Sequence, residues 1–333
     1  PHNTLIWTDR RDSGNLQDQA RRARYRLMAD WASANDIGLI ALGHTLDDQA
    51  ETFMMRLARG SGVDGLSAMR DRWDQHGVTF VRPLLSVSRD DLRAHLRGKS
   101  LTWLDDPSNS DPGYDRSRVR AALPDLGITP QTLARVANHL AQARDALETA
   151  TIEAARKVAR TEMGDVVIDQ AGFAALPTDL GRRLLIKAMH WITGAEYPPR
   201  GAALAALCAE ILRGKTATLQ GCDAHVAKGI IRLTREAGAI AGQKAHPSEI
   251  WDGRWQLVGP QKTNVTIAAL GEAGLRHCPD RSLSPLPARS LVATPAVWQG
   301  QTLLAAPLAN LENGWRAQLI QRHPQDFAAQ IAH

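Results

Sequence analysis

The densest run of chemically capable side chains is Gly43-His44-Thr45-Leu46-Asp47-Asp48-Gln49-Ala50-Glu51-Thr52. It follows directly on a short apolar run, Ile37-Gly-Leu-Ile-Ala-Leu42. On a helix turning 100° per residue, His44, Asp48, Glu51 and Thr52 fall on one side. One imidazole, two carboxylates and a hydroxyl therefore line up beside a strand end, where open parallel sheets bind their ligands. Asp47 and Asp48 in the first turn are also favoured by the helix dipole. The bland alternative is a capped helix with solvated acids. Against it, Phe53, Met54 and Leu57 already supply a packing face, which leaves the polar stripe without a packing role.

The elements around this run suggest an α/β layout. A strand is expected at Thr4–Trp7, then a helix over about Leu16 to Ala34, where Leu16, Ala20, Ala23, Leu27 and Trp31 step by three and four. Ile37–Leu42 suits a buried parallel strand, followed by a helix from Leu46 to Ala58. Thr79–Leu84 reads as another strand and Ser88–Gly98 as a Ser-capped helix with Asp90 and Asp91 in its first turn. Alternation of this kind argues for a doubly wound parallel sheet over residues 1–124. Residues 125–241 read as helical: a long helix or a pair from Thr129 and Pro130, then Asp179–Trp191 and Ala202–Arg213, with one strand at Val226–Leu233. Gly242–Pro247 is a candidate linker. Residues 248–333, with short strands at Trp251–Trp255, Val265–Ala268 and Thr302–Ala305, form a small β-rich C-terminal module.

Composition narrows the classes. Of 333 residues, 44% are hydrophobic and 23% charged, enough apolar content for two or three packed domains. No apolar run approaches the ~20 residues of a membrane helix, so no membrane partner is expected. The three cysteines, Cys208, Cys222 and Cys278, contain no Cys-x-x-Cys pair, which fits a reducing cytoplasm and argues against a cysteine-rich metal centre. The net charge is +5, and 33 of the 40 basic residues are arginine, whose planar fork suits phosphates and bases.

Specific motifs sharpen the expectation. His44-Thr-Leu-Asp-Asp-Gln-Ala-Glu-Thr52 followed by Arg59-Gly-Ser-Gly-Val-Asp-Gly-Leu-Ser-Ala-Met69 resembles the signature of tRNA(Ile)-lysidine synthetases, members of the N-type ATP pyrophosphatase (PP-loop) superfamily. Gln19-Ala-Arg-Arg-Ala-Arg24-Tyr25 resembles the family's Arg/Tyr helix, and Arg82-Pro-Leu-Leu85 its R-P-L-L strand. Trp103-Leu-Asp-Asp-Pro-Ser-Asn109 with Tyr114-Asp-Arg116-Ser-Arg118-Val-Arg120 resembles its D-P-S-N and R-N-x-I-R segment. The resemblance runs from about residue 14 to 124 in family order. Two departures stand out. Ser117 replaces the usual Asn, and the nucleotide loop Ser-Gly-Gly-x-Asp-Ser occurs nowhere in the sequence. With a start at Pro1 rather than Met, the expectation is an N-terminally truncated domain, unable to adenylate as written.

The resemblance implies ATP-dependent ligation of L-lysine to C2 of the wobble cytidine in tRNA(Ile) with a CAU anticodon, through an adenylated tRNA, with ATP and Mg²⁺ as cofactors and no dedicated metal site. It implies that Asp48 and Glu51 hold the lysine's ammonium groups, that His44 and Arg24 sit at the adenylate and target base, and that Asp47 and Thr52 lie near nucleotide and Mg²⁺. Arg118 resembles a second active-site arginine, with Arg116 and Arg120 as register alternatives that otherwise meet tRNA. Arg135 and Arg144 are further tRNA candidates, although a solvated helix face accounts for any single one. Arg59-Gly-Ser-Gly62 follows a helix, so it reads as a C-cap with Gly60 left-handed rather than a phosphate loop. A homodimer is left open. The alternatives are another PP-loop tRNA-modifying enzyme or a non-catalytic tRNA-binding remnant; thiolases of the 2-thiocytidine type need a Cys-x-x-Cys that is missing here.

Overall fold

The computed structural model describes residues 2–9, 16–104, 115–195 and 197–320. Asp105–Asn109 and Tyr114 of the last motif lie outside the described residues. The chain divides into two compact units, Pro1–Ala146 and Leu147–His333.

The first unit is α/β. Its elements are α1 (Leu16–Ala34), β1 (Leu39–Ala41), α2 (Leu46–Leu57), α3 (Val63–Leu66), β2 (Arg72–Gln75), β3 (Val78–Val81), α4 (Arg89–Gly98), α5 (Asp115–Asp125) and the start of α6 (Pro130–Val158). The sheet order is β1-β3-β2. β1 runs parallel to β3, with Leu39 opposite Thr79 and Ala41 opposite Val81, while β2 pairs antiparallel. The β2–β3 hairpin was not legible in the sequence because its signal is only two residues long. His76 and Gly77 both take positive φ, 54° and 81°, the type I′ pattern whose twist matches flanking strands.

Three expectations need correction here. Thr4–Trp7 has no regular secondary structure; Ile6 is 74% exposed, so the residues that suggested a strand are not buried against one. β1 is not buried on both faces, since Leu39 is 49% exposed and only β3 flanks the strand among the described residues. The polar stripe of α2 does have a packing role: Glu51 and Thr52 are buried, whereas Leu57, expected to pack, is 48% exposed. Gln49 explains part of this, because its amide donates to Met69 O at 3.1 Å and accepts from Met69 N at 2.8 Å.

Beneath the sheet, Tyr25, Ala29 and Ala32 of α1 pack with Val78 and Phe80 of β3. Phe80 is fully buried, stacked on Trp73 at 5.2 Å and edge-on to Tyr25 at 5.2 Å. A second cluster joins Ala50 and Phe53 of α2 to Leu123 of α5 and to Leu133 and Ala137 of α6. α6 starts where Thr129 caps it, its hydroxyl accepting from Thr132 N at 3.2 Å, and continues as a single helix of 29 residues.

The second unit carries β4 (Ala159–Glu162), β5 (Asp165–Asp169), α7 (Gln170–Ala174), α8 (Thr178–Thr193), α9 (Gly201–Leu212), β6 (Ala217–Leu219), β7 (Cys222–Ala227) and β8 (Ile230–Arg235). The strands form a five-stranded antiparallel sheet in the order β4-β5-β8-β7-β6. The expected helices are present, but the region is not helical throughout. Val226–Leu233 is a hairpin rather than a strand, turning at Lys228 and Gly229, both with positive φ. After it come β9 (Lys244–Ala245), β10 (Trp255–Val258), β11 (Thr266–Ala269), α10 (Gly271–Leu275), α11 (Ala288–Leu291), β12 (Pro295–Gln299), β13 (Thr302–Ala305) and β14 (Arg316–Leu319). The expected linker contains β9, which pairs with β11. Two separate apolar clusters fill this unit, one between Ala155 and Leu233 and one between Ile240 and Trp315.

Phe80→Ala should lower the stability of the first unit by about 3–5 kcal/mol, measured by chemical denaturation followed through Trp73 fluorescence.

Candidate active site

Two helix starts build the site. Thr45-x-x-Asp48 and Ser88-x-x-Asp91 are capping boxes, and each is closed: Thr45 caps α2 and Ser88 caps α4. The two starts are tied directly. Leu46 N donates to Val87 O at 3.0 Å, and Arg89 N donates to Asp47 Oδ2 at 2.8 Å.

From that anchored position the Arg89 side chain spans both remaining carboxylates. Its Nη2 meets Asp48 Oδ1 at 2.6 Å and its Nη1 meets Glu51 Oε1 at 2.9 Å. Arg120 of α5 reaches the same Glu51 oxygen with Nε at 2.9 Å and Nη2 at 2.8 Å. Glu51 is 1% exposed, and its other oxygen, Oε2, is buried without a hydrogen-bond partner among the described residues. A buried, unpartnered carboxylate oxygen is costly, and it is the acceptor in this cluster with room in its valence for a donor from a ligand. Burial works to raise the Asp48 pKa, but hydrogen bonds from the Thr45 N–H and hydroxyl, with Arg89 and His44, outweigh it and hold the carboxyl below the usual range.

Beside this clamp an open cleft of about 690 Å³ lies at the carboxyl end of β1. Arg21, Arg24, Tyr25 and Met28 of α1 line it, with Leu42, His44, Met55, Arg59, Asp115 and Arg116. Four arginines on one small cleft make it suited to phosphate. His44 is half-buried, and Arg82 Nε donates to its Nδ1 at 3.2 Å. Burial first, then the Arg82 charge, lowers its pKa; Asp48 opposes this, while Arg116 and Arg21 add to it.

Arg24, His44 and Arg116 thus converge on the cleft, Asp47, Asp48 and Glu51 converge on Arg89, and Arg120 joins them through Glu51. Thr52 is buried within the fold, and Asp47 faces the start of α4 rather than the cleft lining. Arg118 is exposed and paired with Asp115. Arg135 is exposed on α6. Arg144 is folded inward, with its side chain 12% exposed and Nη1 donating to Ser67 Oγ at 3.0 Å, so it braces the unit instead of presenting a charge. Gly60 takes φ 69°, and Ser61 N returns to Arg56 O at 3.1 Å: the C-cap expected of Arg59-Gly-Ser-Gly62. Sequence reasoning missed Arg89, Arg82 and Arg21 as site residues, while the resemblance left room for an RNA or substrate contact at Arg59-Gly-Ser-Gly62. For Arg89 a signal existed, since the first residue after a Ser cap must sit at a helix start.

Arg89→Ala should cost about 1.5–3 kcal/mol, the range for hydrogen bonds to charged groups, in denaturant unfolding at neutral pH. Asp48 has a depressed folded pKa, so its contribution is complete above the ordinary Asp value of ~3.9 and disappears as pH falls through the lower folded value. The stability gap between wild type and Asp48→Asn should therefore be widest near neutral pH and close in strong acid. A gap that persists there would show that the ionised carboxylate is not what stabilises the helix start.

The PP-loop domain family matches residues 2–126. A tRNA(Ile)-lysidine synthase from Ruegeria pomeroyi is 46% identical over 336 residues, covering 100% of this chain and 80% of that protein. Its counterpart from the Wolbachia of Brugia malayi is 34% identical, covering 80% of this chain and 65% of its own length. The one from Bradyrhizobium sp. (strain BTAi1) is 38% identical, covering 70% and 72%. Among solved structures, the U34-tRNA thiolase NcsA from Methanococcus maripaludis is 18% identical with a TM-score of 0.31, over 40% of this chain and 46% of its own; a likeness of that size carries no argument. With sequence identity sustained along its whole length and a PP-loop domain at its front, the chain belongs to the tRNA(Ile)-lysidine synthase family.

Proposed function

We propose that this protein joins the ε-amine of L-lysine to C2 of the wobble cytidine in tRNA(Ile) with a CAU anticodon, through an adenylated tRNA, in the cytoplasm and with ATP and Mg²⁺. The observation that carries the reading is the pairing of opposite charges at one strand end: a cleft lined by Arg21, Arg24, Arg59 and Arg116, beside the half-buried Asp48 and the buried Glu51. Activation of the cytidine needs cations around a phosphate, and lysine needs carboxylates for its ammonium groups.

The chemistry assigns roles accordingly. The attacking amine has a free pKa of ~10.4, so it must shed its proton before displacing AMP. Glu51 Oε2, buried and without a partner among the described residues, is suited to accept from an ammonium of the lysine, and Asp48 adds a carboxylate one turn away. Arg24 and Arg116 are suited to the phosphate. These cleft arginines fit the phosphates of ATP, the nucleotide loop being absent from this sequence, and Mg²⁺ would enter on those phosphates, as it commonly does where substrate oxygens complete the shell. Arg118 and Arg135, both exposed, are proposed tRNA contacts, together with the segments 125–241 and 248–333.

Transfer of radiolabelled lysine to a tRNA(Ile) transcript, catalysed by the complete product of the gene, tests this reading. Asp48→Asn should reduce transfer at least ~100-fold, the scale on which a buried electrostatic contact acts in catalysis, while tRNA affinity stays within a few fold. Unchanged turnover would remove Asp48 from the site, and tRNA binding without any lysine transfer by wild type would point to a binding protein instead. Affinity for tRNA should fall steeply with rising salt as phosphate contacts release counterions. A salt-independent affinity would exclude the exposed arginines as the grip.

A further inference from the structure

Arg82 follows β3 and is 5% exposed. Every part of its guanidinium is in use. Nη1 donates to Arg70 O at 2.5 Å, Nη2 to the Tyr25 hydroxyl at 3.3 Å and Nε to His44 Nδ1 at 3.2 Å. Its plane lies over the Trp73 ring, 4.1 Å from the centroid. The group is therefore held by a backbone carbonyl, a phenol and an aromatic face before it meets His44.

Arginine has donors only and keeps its proton in proteins. The His44 nitrogen that meets Arg82 Nε–H must then offer a lone pair. A neutral imidazole carries one proton, which leaves it on Nε2. Putting a second proton on Nδ1 would set an N–H against the N–H of Arg82 and add a cation beside one. We propose that Arg82 is a positioning residue that fixes His44 in the Nε2–H tautomer, so that His44 serves the cleft as a neutral hydrogen-bond donor to an acceptor oxygen and not as a proton acceptor.

Cations outnumber carboxylates around His44. Arg82 after β3, Arg21 and Arg24 on α1, Arg59 after α2 and Arg116 on α5 carry positive charge, and Asp48 on α2 and Asp115 on α5 are the opposing carboxylates. Burial and the cations outweigh Asp48, and the ring is held neutral. A donor that needs no proton uptake can stabilise negative charge on an oxygen throughout a reaction. The base that frees the lysine amine must then be another group. The tautomer stands on contacts within the first unit; only its use in lysine transfer rests on the function proposed above.

Long-range ¹H–¹⁵N spectra of the full chain with ¹⁵N-labelled histidine, recorded between about pH 5 and 8, test the assignment, with His44→Gln identifying the signal. The expected result is an unprotonated Nδ1, a protonated Nε2 and a titration midpoint below the ordinary ~6.5. A proton on Nδ1, or a midpoint at or above that value, overturns the proposal. Arg82→Lys keeps the charge but loses the planar donor, and a folded variant should show mixed tautomers at His44; Asp48→Asn should leave the tautomer as it is. If Arg82→Lys folds and retains the wild-type signals, Arg82 does not set the tautomer. If that variant does not fold, the wild-type spectrum alone still decides between the two ring states.

Discussion

Glu51 is a carboxyl group shut away from water at 1% exposure, and the arrangement of the first unit follows from the partners its oxygens need. Removing an ion from water costs several kcal/mol unless partners replace the hydration. Arg89 and Arg120 both end on Oε1, so helices α4 and α5 must each stand against α2 at a fixed height. Arg89 can do this because its own backbone N–H is tied to Asp47. The position of one helix start is thus set by the charge on another helix. A neutral residue at 51 would relax that requirement, removing the acceptor that Arg89 and Arg120 share and leaving Arg89 on Asp48.

The same constraint explains which parts of the fold could be read from sequence. Helices α1, α2, α4 and α6 were legible because their signals are local: three-and-four spacing, Thr45 and Ser88 as caps, and Pro130 at a first helical position. Strands were less so. β2 contains Arg72, Asp74 and Gln75 and pairs only because His76-Gly77 turns the chain back. β7 and β8 merged into one expected strand, since Lys228-Gly229 is a weak turn signal beside two apolar runs. Pairing partners are not local, and a run such as Thr4–Trp7 looks like a strand whether or not a neighbour exists.

For the candidate site, residue types were easier to anticipate than their surroundings. His44, Arg24 and Arg116 converge on one cleft, as the strand-end argument and the motifs suggested. Thr52 followed the same helical spacing, yet it is buried by its neighbours. Arg144 looked like any basic residue on a helix face, but Ser67 and Asp145 take up its donors. Periodicity gives the angle at which a side chain leaves a helix; it says nothing about what another helix brings to that angle. Arg89 shows the reverse case, ordinary as a sequence position and central once α4 is set beside α2.

Arginine in this unit does two kinds of work that lysine could not do equally well. Arg82 and Arg89 are internal: each uses several donors at fixed angles, which a point charge on a flexible stem cannot supply. Arg24 and Arg116 line an open cleft, where the demand is positive charge and reach. The preponderance of arginine over lysine was uninformative as composition. Its meaning lies in where forks are needed, at the carboxylates of α2 and at the imidazole of His44. These inner arginines remain protonated at any ordinary pH, so each adds a fixed positive charge beside the group it touches. The Asp48 carboxyl is lowered, against burial, by the Thr45 N–H and hydroxyl together with Arg89, and the His44 imidazole is lowered by burial first and then by the Arg82 charge. The inner forks thus bias the charges of the site before any ligand binds, and the cleft arginines are left to meet what enters.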